Sequence, residues 1–323
     1  MRNEKKGNKT GMFIFLCIIL FIISFVGGVI FKLVYDPFHG KYKVNWTDEV
    51  GKIYSDISYG ELESNKFDLY VPSDNSKESY GLIVYLHAGG FRTGDKKDDA
   101  DTLKYYASKG YVTVGINYTL NTDDNPQYNI KTMSEEIKKA IPIVVNKAKE
   151  FGYNIDEMTM AGGSAGGCLA LIYAYRDAKE APVPVRMVFE GVGPSSFYPE
   201  DWKSYGLDKD SKAAADLFSY MTGKKITEDM FGTKEYDELI KDVSALLWVD
   251  ENTVPTVMAY GKHDIFQPYE GSVRLDEALT AAGVDHKYFV LEHSGHGLQN
   301  DTKEYMKYLD TVEEYLNKYM PVK

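Results

Sequence analysis

Polar and apolar positions change rhythm several times along this chain. Lys52–Tyr59 and Lys66–Val71 alternate with a period of two, the pattern of antiparallel strands with one face buried. Gly81–Leu86 is instead a continuous apolar run, which predicts a strand buried on both faces. Beyond it, strands are expected at Tyr111–Asn117, Glu157–Ala161, Val185–Glu190, Val254–Tyr260 and His286–Leu291. Helices are expected between and after them, over about 99–109, 131–151, 168–175, 269–282 and 302–319. Strands that take turns with helices predict an α/β fold with a mainly parallel central sheet flanked by helices. The stretch from Pro194 to about Lys241 interrupts this rhythm. It is polar and aromatic, with Phe197, Tyr198, Trp202, Tyr205, Phe218, Tyr220, Phe231 and Tyr236, and reads as a small helical cap inserted above the sheet. Ligands of such sheets bind outside the carboxyl ends of the strands, so a cap there would shape a substrate pocket. The alternative is an ordinary surface excursion of a tyrosine-rich chain.

The N-terminal part has a different character. Residues 1–11 form a basic tail, with Arg2, Lys5, Lys6 and Lys9 against one acid, Glu4. No charged residue occurs from Gly11 to Phe31, and 12–31 is too apolar for a surface helix. About 20 residues rising 1.5 Å each would cross the hydrocarbon of a bilayer. The expectation is a transmembrane anchor, with the tail in the cytoplasm and the bulk of the chain outside as a single-pass membrane protein. The competing reading is a signal peptide cleaved near Gly27–Gly28, which would give a secreted protein; the apolar stretch is long for that role and no Ala-x-Ala follows. Residues 32–50 read as a connector, and 51–323 as the α/β domain.

A chain of 323 residues with 44% hydrophobic positions has ample material for a core. Its formal net charge of −11 argues against nucleic acid as a partner, since that needs a cationic surface. The two cysteines, Cys17 and Cys168, lie in unrelated segments, and no disulfide is expected. Oligomeric state is left open.

The chemistry centres on Gly162-Gly163-Ser164-Ala165-Gly166, a Gly-x-Ser-x-Gly pattern between an expected strand and an expected helix. A sharp turn carrying a serine in that context is the nucleophile elbow of α/β-hydrolases. A serine nucleophile needs a base, and the base an orienting carboxylate. Asp264 follows the strand ending at Tyr260, and His296 follows the next strand, in the chain order Ser, Asp, His. His296 lies between Gly295 and Gly297, which keeps its loop open. His293 is its rival, closer to the strand, and His263 is more simply a surface or packing residue. Glu270 and Asp285 are rivals to Asp264. The tetrahedral intermediate also needs backbone N–H donors for its oxyanion. Ala165, just after the nucleophile, is one candidate; the turn His87-Ala88-Gly89-Gly90-Phe91, which follows the strand at Gly81–Leu86, offers the other.

These pieces together resemble the bacterial acetyl esterase/lipase branch of the α/β-hydrolases, close to BD-FAE-like and hormone-sensitive-lipase-like esterases. The likeness rests on His87–Lys96 (His-Ala-Gly-Gly-Phe-Arg-Thr-Gly-Asp-Lys), Ile116–Leu120, the elbow, Gly261-x-x-Asp264-x-x-x-Pro268 and Gly295-His296-Gly297. The resemblance implies a triad of Ser164, Asp264 and His296, and oxyanion donors at Gly89, Gly90 and Ala165. His87 and Asp95 would have supporting roles, Asp95 bracing the oxyanion turn. Two departures stand out: Ala88 replaces the first glycine of the turn, and Thr119 replaces an arginine after Tyr118. No metal or organic cofactor is implied. The function expected is hydrolysis of carboxylic esters with short acyl chains, on a small-molecule substrate or acetylated glycans, with the membrane met through the N-terminal helix. The alternatives are a serine peptidase of the dipeptidyl or acylaminoacyl type, and a binding module with a silent site.

Overall fold

The computed structural model describes residues 43–323. Eight strands form one sheet: β1 (Gly51–Ser58), β2 (Lys66–Pro72), β3 (Tyr80–Leu86), β4 (Val112–Ile116), β5 (Ile155–Gly163), β6 (Val185–Gly191), β7 (Thr256–Gly261) and β8 (His286–Leu291). Their spatial order is β1-β2-β4-β3-β5-β6-β7-β8. The pairs β1–β2 and β2–β4 are antiparallel, and every later pair is parallel. The two alternating stretches of sequence therefore lie at one edge, and β1 keeps most of its residues out of the core. The central strands β3, β4 and β5 are apolar on both faces because helices cover both.

Helices α1 (Ala100–Ser108), α2 (Ile130–Glu150), α3 (Ala165–Ile172), α6 (Tyr269–Ala281) and α7 (Thr302–Tyr319) pack on the sheet. In α2, a reciprocal pair of hydrogen bonds between Asn129 and Thr132 caps the first turn. Its inner face buries Ile130, Met133, Ile137, Ile141 and Val144. Burial of each such side chain contributes roughly 1.5–3 kcal/mol. Their sum outweighs the ~3 kcal/mol that Pro142 costs in the helix interior. Helix α3 ends at Ile172 and widens into a π turn over Tyr173–Asp177, where a single helix over 168–175 is expected from the sequence.

Between β6 and β7 lie α4 (Ser211–Thr222), α5 (Lys234–Ile240) and several short 3₁₀ turns. The aromatics of this segment mostly pack on one another. Phe218 meets Phe197 and Trp202 edge-on, with ring centroids 6.2 and 5.7 Å apart, and Phe231 meets Tyr236 at 5.0 Å. Phe197, Phe218 and Tyr236 are fully buried. The apolar density of the insertion is thus largely its own small core.

One expectation is corrected. The stretch 12–31, expected as a transmembrane helix, lies outside the described residues. Among the described residues no helix is long and apolar enough to cross a membrane. The described residues accordingly form an α/β-hydrolase sheet with flanking helices and an insertion. The membrane as a partner and a single-pass location are corrected with it.

Candidate active site

The site is built at the carboxyl ends of β3, β5, β7 and β8. At the end of β5 the chain reverses sharply into α3, and Ser164 at the turn has φ 52° and ψ −120°. A side chain at such a φ is strained, and the surroundings hold it there. The Ser164 N–H donates to Gly191 O at 2.8 Å. A Cβ on Gly162 would lie 2.4 Å from the carbonyl carbon of Gly166, and one on Gly166 would lie 1.9 Å from Leu86 O. The two outer glycines of the motif are therefore obligatory. Gly163 is not: a Cβ there would meet nothing closer than Gly191 O at 4.0 Å.

His296 Nε2 lies 2.8 Å from Ser164 Oγ, and its Nδ1 lies 2.7 Å from Asp264 Oδ2. Asp264 has a buried side chain, and its Oδ1 accepts the N–H groups of Phe266 and Gln267 at 2.8 and 2.9 Å. With Nδ1–H donating to the carboxylate, Nε2 is left as the acceptor for the serine hydroxyl. The structure thus brings Ser164, His296 and Asp264 into one hydrogen-bonded row. His293 points elsewhere: its Nδ1 lies 2.8 Å from Asp301 Oδ1 and the side chain is largely exposed. Asp301 also accepts the His293 N–H and the Ser294 hydroxyl, so it pins the loop that carries His296. Asp285 is engaged with Lys318, Tyr315 and Tyr319, and Glu270 sits in the first turn of α6.

The glycine turn after β3 runs through Gly89 (φ 128°), Gly90 (φ 60°) and Phe91 (φ 65°). Gly89 and Gly90 line the same cavity as Ser164 and Ala165. Beneath the turn, His87 stacks on Tyr118 with centroids 4.3 Å apart, and the Tyr118 hydroxyl donates to His87 O. His87 Nδ1 is 2.7 Å from Ala88 O and so carries the ring proton, while Nε2 is buried with no partner among the described residues. Burial lowers the His87 pKa and keeps the ring neutral. Asp95 accepts hydrogen bonds from Asn117 Nδ2 and the Lys97 N–H, and Lys96 N–H donates to Asn117 Oδ1. Partial burial raises the Asp95 pKa, but these bonds and the Lys96 charge outweigh it, and the net shift is downward. The buried Lys96 ammonium also meets Asp56 at 2.8 Å and Asp68 at 3.2 Å. Asp95 and Lys96 together tie the far end of the turn to β4 and β2. Thr119 fills the place of the absent arginine with a different link: its N–H and hydroxyl both donate to Glu136, at 2.6 and 2.8 Å.

Two cavities meet at Ser164 and His296. One, of about 400 Å³, is lined by the glycine turn, Trp202, Tyr205, Met221 and Phe266. The other, of about 270 Å³, is walled by Tyr85, Tyr106, Phe189, Tyr305 and Tyr308. Of the insertion's aromatics only Trp202 and Tyr205 line the first cavity. Met221, Phe266, Gln267 and Asp301 escape a reading by motif. Phe266 and Gln267 carry a positional signal, since they follow Asp264 directly; Asp301 carries none.

Glu190, near the end of β6, is a further residue that the motifs do not reveal. It is fully buried behind the elbow. Its Oε2 accepts the Gly193 N–H at 2.8 Å and lies 2.9 Å from where a Cβ on Gly167 would stand, while Oε1 has no partner among the described residues. Burial pushes the carboxyl up from its ordinary 4.5 to about 8, against the hydrogen bond from Gly193 that lowers it. Burial thus favours its protonated form.

Sheet order, elbow and hydrogen-bonded row define an α/β-hydrolase with a serine-hydrolase constellation. The family model BD-FAE matches residues 67–279, and the chain belongs to the BD-FAE family. A truncated carbohydrate esterase from gut microbiota is similar in structure, with a TM-score of 0.65, 16% identity, and coverage of 84% of this chain and 98% of that one. A thermophilic esterase from Thermogutta terrifontis gives a TM-score of 0.64 at 20% identity, covering 87% and 97%. At such identities the likeness shows the fold alone. In sequence, the kynurenine formamidase of Salmo salar is 28% identical over 121 residues, 38% of each chain. The chain therefore spans well under half the length of the curated relative it matches.

Two outcomes are expected. Gly166→Ala forces a methyl into the Leu86 carbonyl and should cost about 3 kcal/mol or more, as overpacking of a rigid backbone contact does. Denaturant midpoints measure it, with Gly163→Ala as the tolerated comparison. The second concerns Glu190. Its proton is held in the folded state and released by the unfolded chain above pH 4.5, so its contribution to stability is complete below that pH and is lost as pH rises through about 8. Glu190→Gln should therefore gain stability relative to the parent between pH 5 and pH 8, read from paired denaturant titrations.

Proposed function

We propose that the protein is a serine carboxylesterase that hydrolyses short-acyl esters through an acyl-enzyme on Ser164. The observation that carries this reading is the row Ser164 Oγ–His296 Nε2 at 2.8 Å and His296 Nδ1–Asp264 Oδ2 at 2.7 Å, beside a glycine turn in the same cavity. His296 takes the serine proton as Oγ attacks the ester carbonyl. Asp264 fixes the ring and stabilises its cation, and is itself held by two backbone N–H groups. The N–H groups of Gly89, Gly90 and Ala165 meet the oxyanion. The alcohol leaves with the proton from His296, and water then attacks the acyl-enzyme by the same route in reverse. His87 and Asp95 support the turn without touching the substrate.

The two cavities favour an ester with two modest substituents, one on each side of Ser164. The segment about 194–241 acts as a cap, since Trp202, Tyr205 and Met221 wall the larger cavity. Acetyl groups on glycans are the narrower substrate class, supported by the structural likeness to a carbohydrate esterase. A second reading, an amide bond in place of the ester, is favoured by the partial similarity to kynurenine formamidases.

The test is turnover of p-nitrophenyl esters from acetate to palmitate, together with an aryl formamide and an aminoacyl amide. Acetate or butyrate should be hydrolysed fastest, and Ser164→Ala should lower kcat by about 10⁴-fold or more. Turnover of the amides alone would replace the ester reading, and unchanged activity in Ser164→Ala would overturn both.

A further inference from the structure

We infer that Tyr205 and Tyr220 are positioning residues: their hydroxyls tie the inserted segment to the acid loop and to the oxyanion turn, and so hold both halves of the site in register. This rests on the serine esterase reading above. The two tethers leave the insertion from different places. Tyr205 closes a 3₁₀ turn at Lys203–Tyr205, and its hydroxyl donates to Phe266 O at 2.9 Å. Phe266 is the residue whose N–H donates to Asp264 Oδ1, and its ring stands edge-on to His296 with centroids 5.5 Å apart. The Asp264 carboxylate also holds the N–H of Gln267, which shares its peptide unit with the Phe266 carbonyl. The tip of the loop buries little apolar surface, with Ile265 68% exposed and Phe266 62%, so its position depends on hydrogen bonds. One hydroxyl therefore restrains the peptide that restrains the carboxylate.

Tyr220, on α4, acts on the other side. Its hydroxyl donates to Asn121 Oδ1 and accepts from Arg92 Nη1 at 3.0 Å. The Asn121 N–H donates to Phe91 O at 2.9 Å, and Asn121 Nδ2 is bound to Tyr128 O and Pro126 O. Arg92 and Phe91 directly follow Gly90. The turn holds three successive residues at positive φ, and Phe91 lacks the freedom of glycine. A strained turn relaxes unless its neighbours fix it. Tyr220 fixes it from both Asn121 and Arg92. No other element of the insertion needs to touch the reacting atoms for this: the coupling runs through backbone groups that already serve the site.

Tyr205→Phe and Tyr220→Phe remove one oxygen each and leave the rings in place. Both side chains are partly exposed, so neither variant threatens folding. The measurement is kcat and KM of the full chain for p-nitrophenyl acetate, with thermal midpoints alongside. Each variant should lower kcat by about 3–30-fold, less than the roughly 10²–10³ seen when an oxyanion donor is deleted outright. KM should stay within about twofold and the midpoint nearly unmoved, because a loosened donor or base is felt in the transition state. The double variant should lose about the product of the two factors, since the tethers act on separate loops. An unchanged kcat in both variants overturns the inference, as does a raised KM at constant kcat, which would make the hydroxyls substrate contacts. Activity of the parent with loss in Ser164→Ala keeps those failures separate from a failure of the esterase reading.

Discussion

The left-handed backbone at Ser164 is the constraint from which the rest of the site follows. To present Oγ at the top of the sheet, the chain must leave β5 and enter α3 within one residue. That reversal brings Gly162 and Gly166 into contact with each other and brings Gly166 against the end of β3. β3 must therefore end beside the elbow, and the turn that follows it has nowhere to go but over the nucleophile. The glycine turn and the serine are neighbours because a backbone contact with no room for a methyl group makes them so. The hydrogen bond from Ser164 N–H to Gly191 O fixes the same residue to β6 on the opposite side.

The acid and base are delivered differently. They come from loops after β7 and β8 and depend on hydrogen bonding rather than on steric contact. Asp264 accepts two backbone N–H groups and the His296 ring; Asp301 gathers the His293 N–H and the side chains of His293 and Ser294. A loop held by hydrogen bonds tolerates small displacements that the elbow does not. Ser164 is thus rigid by packing, while His296 and Asp264 are rigid only by virtue of their partners.

How much of this was legible in the sequence follows from the same distinction. Steric requirements leave residue-type signatures: glycine at 162 and 166, a continuous apolar run at 81–86, and a histidine between glycines at 296. Ser164, Asp264 and His296 could be named because each follows a strand in a fixed chain order. Hydrogen-bonded supports leave no such mark. Asp301 is one acid among many in an acidic chain, and Glu190 reads as the end of an ordinary strand. The insertion misleads for another reason. Eight aromatics within about 40 residues look like a binding wall, yet Phe197, Phe218 and Tyr236 are spent on one another. Composition records that aromatics are present and says nothing of which way they face.

That self-packed cluster bears on how such a protein can change. A segment with its own core can exchange the side chains it shows to the cavity without unsettling the sheet beneath. Met221 is free in this sense, since it is not among the cluster's stacked rings. Trp202 is not. It packs on Phe197 and Phe218, donates its indole N–H to Ser196 O, and also walls the larger cavity. At Trp202, altered selectivity and lost stability are the same event, so variation in what the cavity accepts should accumulate around it and pass it by.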